Sequence, residues 1–73
     1  MTDTRPLRQI RRERLLTIDK LADRAGVSHM TVKSAESGRR TPMPSTIRRL
    51  SEALDVEPLE IAEFAAAIRE EGR

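Results

Sequence analysis

Between Leu16 and Gly38 the chain reads LTIDKLADRAGVSHMTVKSAESG, and the spacing of its small and apolar residues demands two short helices joined by a tight turn. Ala22 is followed four residues later by Gly26, six later by Val32 and three later by Ala35. Leu21, Ala25 and Val27 fill the apolar positions between. Thr17 stands where a helix from Ile18 to Ala25 needs an N-cap acceptor, and Asp19 suits the positive end of that helix. Gly26 supplies the left-handed backbone angle at which it stops. Ser28 then caps a helix from His29 to Ser37, and Gly38 closes it.

Elsewhere the pattern is helical and the predicted fold is all-α, a compact five-helix arrangement in one small domain spanning residues 1–73. Residues 1–5 read as a loose arm. The first helix is expected from Pro6 to Arg14, with Leu7, Ile10 and Arg14 or Leu15 facing inward. The fourth is expected from Thr46 to Leu54 behind an N-cap at Ser45, burying Ile47, Leu50, Ala53 and Leu54. The fifth is expected to begin at Pro58 and run to Glu71. Its stripe of Ile61, Phe64, Ala65 and Ile68 is flanked by Leu59, Ala62 and Ala66, an apolar arc wider than so small a core can cover. The Leu59, Ala62 and Ala66 side, or the tip near Ile68, is therefore expected to form a symmetric dimer contact.

Composition excludes several kinds of chemistry. With no cysteine and a single histidine, His29, the chain has no thiol nucleophile, no His-paired dyad and no His/Cys metal cluster. No glycine-rich phosphate loop is present, so an enzyme reading has no residues behind it and no cofactor is expected. No apolar run approaches the ~20 residues of a membrane span, and no signal peptide opens the chain, so a cytoplasmic location is expected. Phe64 is the sole aromatic, which argues against a stacking platform for single strands. The charge is segregated: residues 1–49 carry 12 basic and 5 acidic residues, and residues 50–73 carry 2 and 7. A basic part beside an acidic one suggests a side that faces a polyanion.

The two-helix unit is a helix-turn-helix, whose second helix enters the major groove of DNA. With Val27, Val32 and Ala35 turned to the core, His29, Met30, Lys33, Ser34 and Ser37 are left on the outer face. His29, Met30, Lys33 and Ser34 are the candidate base readers: His29 at a purine edge and Met30 on a thymine methyl. Thr17, Ile18, Ser28, Thr31, Ser37, Arg39, Arg40 and Thr41 are the candidate phosphate contacts, through hydroxyls, free helix-end amides or guanidinium groups. Arg5, Arg8, Arg12 and Arg14 would widen the basic surface, and Arg48 or Arg49 could instead pair with Glu52.

From Leu7 to Ile61 the chain resembles the Cro and phage-repressor-like helix-turn-helix domain, also called the XRE-like family. The resemblance rests on Leu7, Ile10 and Arg11; Leu16, Leu21 and Ala22; Gly26-Val27-Ser28; Val32 and Glu36-Ser37-Gly38; and Pro44, Leu50, Leu54, Val56 and Ile61. It implies a sequence-specific binder of double-stranded DNA that works as a homodimer on a palindromic operator. It also implies that Arg11 pairs with Glu36 and ties the first helix to the recognition helix. Three positions depart from the family pattern. Leu15 and Asp55 stand where glycine is common, and Ile18 stands where a glutamine commonly clamps a phosphate.

The expected function is that of a small transcriptional regulator, a repressor that acts by occupying DNA, with room for a protein co-regulator. The alternative is an antitoxin-like or co-regulator-like interaction module that keeps the fold with little DNA reading. The segregated arginines favour the first reading. Replacing Arg39 and Arg40 together with Ala should weaken binding to all duplex sequences alike. It should also flatten the salt dependence of affinity by about one phosphate contact per residue. Titrations at several salt concentrations check this, and an unchanged slope refutes the phosphate role.

Overall fold

A computed structural model describes residues 4–38 and 42–71. Five α-helices follow one another: α1 (Leu7–Glu13), α2 (Ile18–Ala25), α3 (His29–Ser37), α4 (Pro44–Leu54) and α5 (Ala62–Glu71). A short 3₁₀ turn, Pro58–Glu60, precedes α5. Among the described residues there is no strand, only an isolated parallel bridge between Arg5 and Ile61. The core gathers one apolar stripe from each helix: Leu7 and Ile10, Leu21 and Ala25, Val32 and Ala35, Leu50 and Leu54, and Phe64. Ile61 joins them from the link before α5, and Leu16, Ile18 and Val27 pack against this cluster half-buried.

Helices of seven to eleven residues are too short to persist alone, so their ends and their packing set the architecture. Three of them end in the same way. In α2, Val27 N donates to Ala22 O (3.0 Å) and Gly26 N to Asp23 O (3.3 Å), with Gly26 at φ 72°. A Cβ built on Gly26 would meet nothing within 4 Å, so glycine is favoured there by its backbone angle rather than by lack of space. The same pair of bonds closes α1 around Leu15 and α4 around Asp55, both at φ 57°. Asp tolerates this region better than a branched apolar residue does. Leu15 does not face inward: it is 93% exposed, because the left-handed turn directs it into solvent.

Four boundaries differ from the sequence expectation. Pro6 is the N-cap of α1 rather than its first residue, and Leu7 N donates to Glu63 Oε1 of α5 at 3.0 Å. Arg5 is not part of a loose arm, since its N donates to Glu60 O (2.9 Å) and its O accepts from Ala62 N (2.8 Å). Helix α4 starts at Pro44, behind Met43, rather than at Thr46, because a proline at the first helical position lacks only an N–H that would have no partner there. The expected fifth helix is broken: Ile61 is extended (φ −95°, ψ 118°), and its bridge to Arg5 separates the 3₁₀ turn from α5. Within α5, Ala67 is buried while Ile68, expected on the inward stripe, is 36% exposed.

A buried ion pair fixes α3 against α1. Arg11 Nε donates to Glu36 Oε2 (2.6 Å) and Nη2 to Oε1 (3.3 Å), while Nη1 donates to Leu16 O (2.8 Å). The Arg11 and Glu36 side chains are only 9% and 4% exposed. Arg8 Nε lies 3.6 Å from Glu36 Oε1 on the outer side.

Two stability predictions follow from these geometries. Leu15→Gly removes the left-handed strain without losing packing and should stabilise the fold by about 1 kcal/mol, read as a rise in melting temperature of roughly 4–8 °C. Glu36→Ala leaves the Arg11 guanidinium buried without its carboxylate and should cost about 3 kcal/mol, whereas Arg11→Met combined with Glu36→Leu should come close to neutral. Denaturant melts of the three proteins measure the difference. Equal losses in the single and double variants would contradict it.

Candidate nucleic-acid interface

The outer face of α3 is built by its N-terminal cap and by the two left-handed glycines that bracket it. Ser28 Oγ accepts from Thr31 N at 3.1 Å and lies 2.8 Å from Thr31 Oγ1, so the two hydroxyls engage each other at the helix entry. Val32 and Ala35 point into the core and leave Met30 (65% exposed), Lys33 and Ser37 on the outside. Ser34 and Thr31 are half-buried, and Ser37 Oγ donates to Ser34 O at 3.0 Å. His29 is exposed, but it is not a free group: its Nδ1 is in hydrogen-bond contact with Asp19 Oδ1 of α2. The contact leaves Nε2 as the nitrogen available to another partner.

Met30, Thr31 and Ser34 also line a cleft of about 300 Å³ shared with Pro42, Met43 and Thr46 at the start of α4. Four sites are thus brought to one region: His29, Met30, Lys33 and Ser34 occupy two successive turns of α3. At the start of α2, Thr17 Oγ1 accepts from Lys20 N at 3.1 Å. Ile18 is half-buried against the core, and its hydrocarbon side chain carries no group that can bond a phosphate. The amides of the first helical turn have no intrahelical acceptor and suit an anion. Arg39, Arg40 and Thr41 lie outside the described residues.

The arginines expected to widen the basic face divide into two groups. Arg8 and Arg12 are exposed. Arg14 instead donates to Leu54 O at 2.6 Å and caps the end of α4. Arg5 pairs with Glu13, whose carboxyl is held below the ordinary range first by the hydrogen bond from Gln9 and then by Arg5. Arg49 donates to Gly26 O at 3.3 Å, anchoring α4 to the turn of the motif. Sequence reasoning missed the contact of Asp19 with His29, the role of Glu63 and the capping roles of Arg14 and Arg49. The contact of Asp19 with His29 joins the first turns of α2 and α3 and is set by the angle between the two helices. The other three act across 23 to 56 residues, and no local pattern marks such contacts.

Leu59, Ala66 and Ile68 are exposed and Ala62 is half-buried, leaving an apolar strip on the 3₁₀ turn and α5. No described helix is long and apolar enough to cross a membrane.

Residues 7–61 match the profile of the family described as Helix-turn-helix. The chain is similar to an uncharacterized HTH-type transcriptional regulator, RghRB, of Bacillus subtilis (strain 168), with 45% identity over 51 residues, 68% of this chain and 37% of that protein. It is similar also to the HTH-type transcriptional repressor RghR of the same organism, with 42% identity over 66 residues, 89% of this chain and 48% of that protein. The chain therefore spans less than half the length of either relative. No solved structure matches it. The Gly26 turn between two capped helices, the Arg11–Glu36 pair and the matched span from α1 to the link before α5 together place the chain in the Cro and phage-repressor-like helix-turn-helix family.

Proposed function

We propose that this protein is a sequence-specific double-stranded DNA-binding transcriptional regulator, a repressor that acts by occupying its operator with α3 in the major groove. The observation that carries this is the outer face of α3, where Met30 and Lys33 are exposed beside His29 and Ser34 on a helix held rigidly by a buried ion pair. A rigid helix with short polar and flexible side chains on its first two turns suits base-edge reading. His29 would read through Nε2, Met30 through apolar contact with a thymine methyl, and Lys33 and Ser34 one turn further on. The α2 start at Thr17 and Ile18, the Ser28–Thr31 cap, Ser37 and the segment Arg39 to Thr41 would contact phosphates and set register. The relatives named as HTH-type regulator and repressor support the same reading.

Within this reading the protein works in the cytoplasm as a homodimer on a palindromic site, with the Leu59, Ala62 and Ala66 side as the contact between copies and Ile68 left to the cleft beside it. A symmetric pair would set two copies of α3 about one helical turn of DNA, ~10 bp, apart.

Selection of bound duplexes from a random pool tests the proposal. The expected result is one enriched palindrome with half-sites ~10 bp apart. His29→Ala or Met30→Ala should then relax preference at one base position per half-site, at about 1–3 kcal/mol per lost contact, with little change in non-specific affinity. A pool that returns no enriched sequence overturns sequence-specific reading. Enrichment of single half-sites, with a monomer in sedimentation both free and on DNA, overturns the dimer.

A further inference from the structure

Away from α3, a cleft of about 570 Å³ runs between α4, the 3₁₀ turn and the far part of α5. Its apolar lining comes from Ile47, Val56 and Ile68 with two prolines, Pro44 and Pro58. Around these stand four carboxylates, Glu52, Asp55, Glu57 and Glu60, with Arg48 as the one basic residue of the lining. Among the described residues none of the four is ion-paired. Two of them are held in place: Glu60 Oε2 accepts from Glu57 N at 2.6 Å, and the Glu57 side chain accepts from the Glu60 backbone in return. Ser51 also lines the cleft. It is 2% exposed, and its Oγ is the one buried side-chain polar atom among the described residues with no hydrogen-bond partner.

We propose that this cleft docks a basic amphipathic segment of another protein, its apolar side chains on the Ile47–Val56–Ile68 floor and its Lys or Arg residues at the carboxylate rim. Charge complementarity selects the occupant. An acidic rim repels DNA phosphates. A second copy seated symmetrically would set the four carboxylates of one chain against the same four of the other. A cationic segment satisfies them instead, and an apolar stripe at helical spacing covers the floor as in other helix-in-groove complexes. None of the residues assigned to base or phosphate contact lines the cleft, so such a partner and DNA can be held at once. The inference does not require that α3 read sequence.

The test is panning of a displayed library of random 12-residue peptides on the full chain. Counter-selection uses the Glu52→Lys/Asp55→Asn variant, in which asparagine keeps the left-handed angle at residue 55. Enriched peptides are synthesised and titrated into isotope-labelled protein. The expected peptides carry net positive charge with apolar residues three or four apart and perturb the amides of residues 47–56 and 68 rather than those of α3. They should bind the variant at least tenfold more weakly, and Ile68→Ser should weaken them independently of charge. Thermal melts establish that both variants fold. Absence of enrichment, recovery of neutral or acidic peptides, or perturbations confined to α3 overturns the proposal. If sedimentation shows that the wild-type chain is a dimer and the variants are monomers, the cleft belongs to a second copy and the proposal is also overturned. Loss of sequence preference in the DNA selection, with peptide docking intact, separates failure of the DNA reading from failure of this one.

Discussion

The bidentate pair between Arg11 and Glu36 determines where α3 stands, and the face that α3 presents follows from it. Burying both charges forfeits their hydration, so the pair is a poor device for stability alone. Its contribution is directional. A planar guanidinium fork meets a carboxylate in one geometry, and the remaining nitrogen is fixed on Leu16 O. That third bond ties the link before α2 to the same side chain. One arginine thus references α1, the entry to α2 and the last turn of α3 to each other. A hydrophobic contact of similar size would hold the helices together with less control over rotation, and rotating α3 would exchange its inward and outward residues.

Left-handed turns do for the helix ends what the pair does for α3. The links after α1, α2 and α4 are each closed by the same two backbone bonds around a residue with positive φ. Gly26 adopts that angle without strain, Asp55 with little and Leu15 with more. The bonds from Leu15 N to Arg12 O and from Leu16 N to Arg11 O close the last turn of α1 and hold Leu15 at this angle. Arginines complete the pattern, with Arg14 on the last carbonyl of α4 and Arg49 on Gly26 O.

Where local chemistry decides, the sequence was legible. The limits of α2 and α3, the caps at Thr17 and Ser28 and the left-handed glycines depend on residues within a turn of one another, and all were readable. The break at Ile61 was not, because it comes from the bridge to Arg5, 56 residues away in the chain. The periodicity of Ile61, Phe64 and Ala65 is helical on its face, and only a long-range competitor for the backbone interrupts it. Of the outward set on α3, His29, Met30, Lys33 and Ser37 are exposed, as Val32 and Ala35 on the inward side imply, while Ser34 is half-buried. The contact of His29 with Asp19 depends on the angle between two helices, which the spacing of residues does not specify.

Charge is where composition misleads most. An arginine bonded to a carbonyl keeps its field, whereas one paired with a carboxylate largely loses it at a distance. Arg14 and Arg49 belong to the first kind, and Arg5 and Arg11 to the second. The basic excess of residues 1–49 is therefore not all available to a polyanion, since part of it is neutralised inside the structure to orient α3. The acidic residues divide in the same way. Glu63 binds the amide of Leu7 and helps to join α5 to α1, while Glu52 and Asp55 stand at the cleft rim without a cation. Four carboxylates, Glu52, Asp55, Glu57 and Glu60, line a cleft with an apolar floor, which gives the acidic end of the chain a surface chemistry distinct from that of α3.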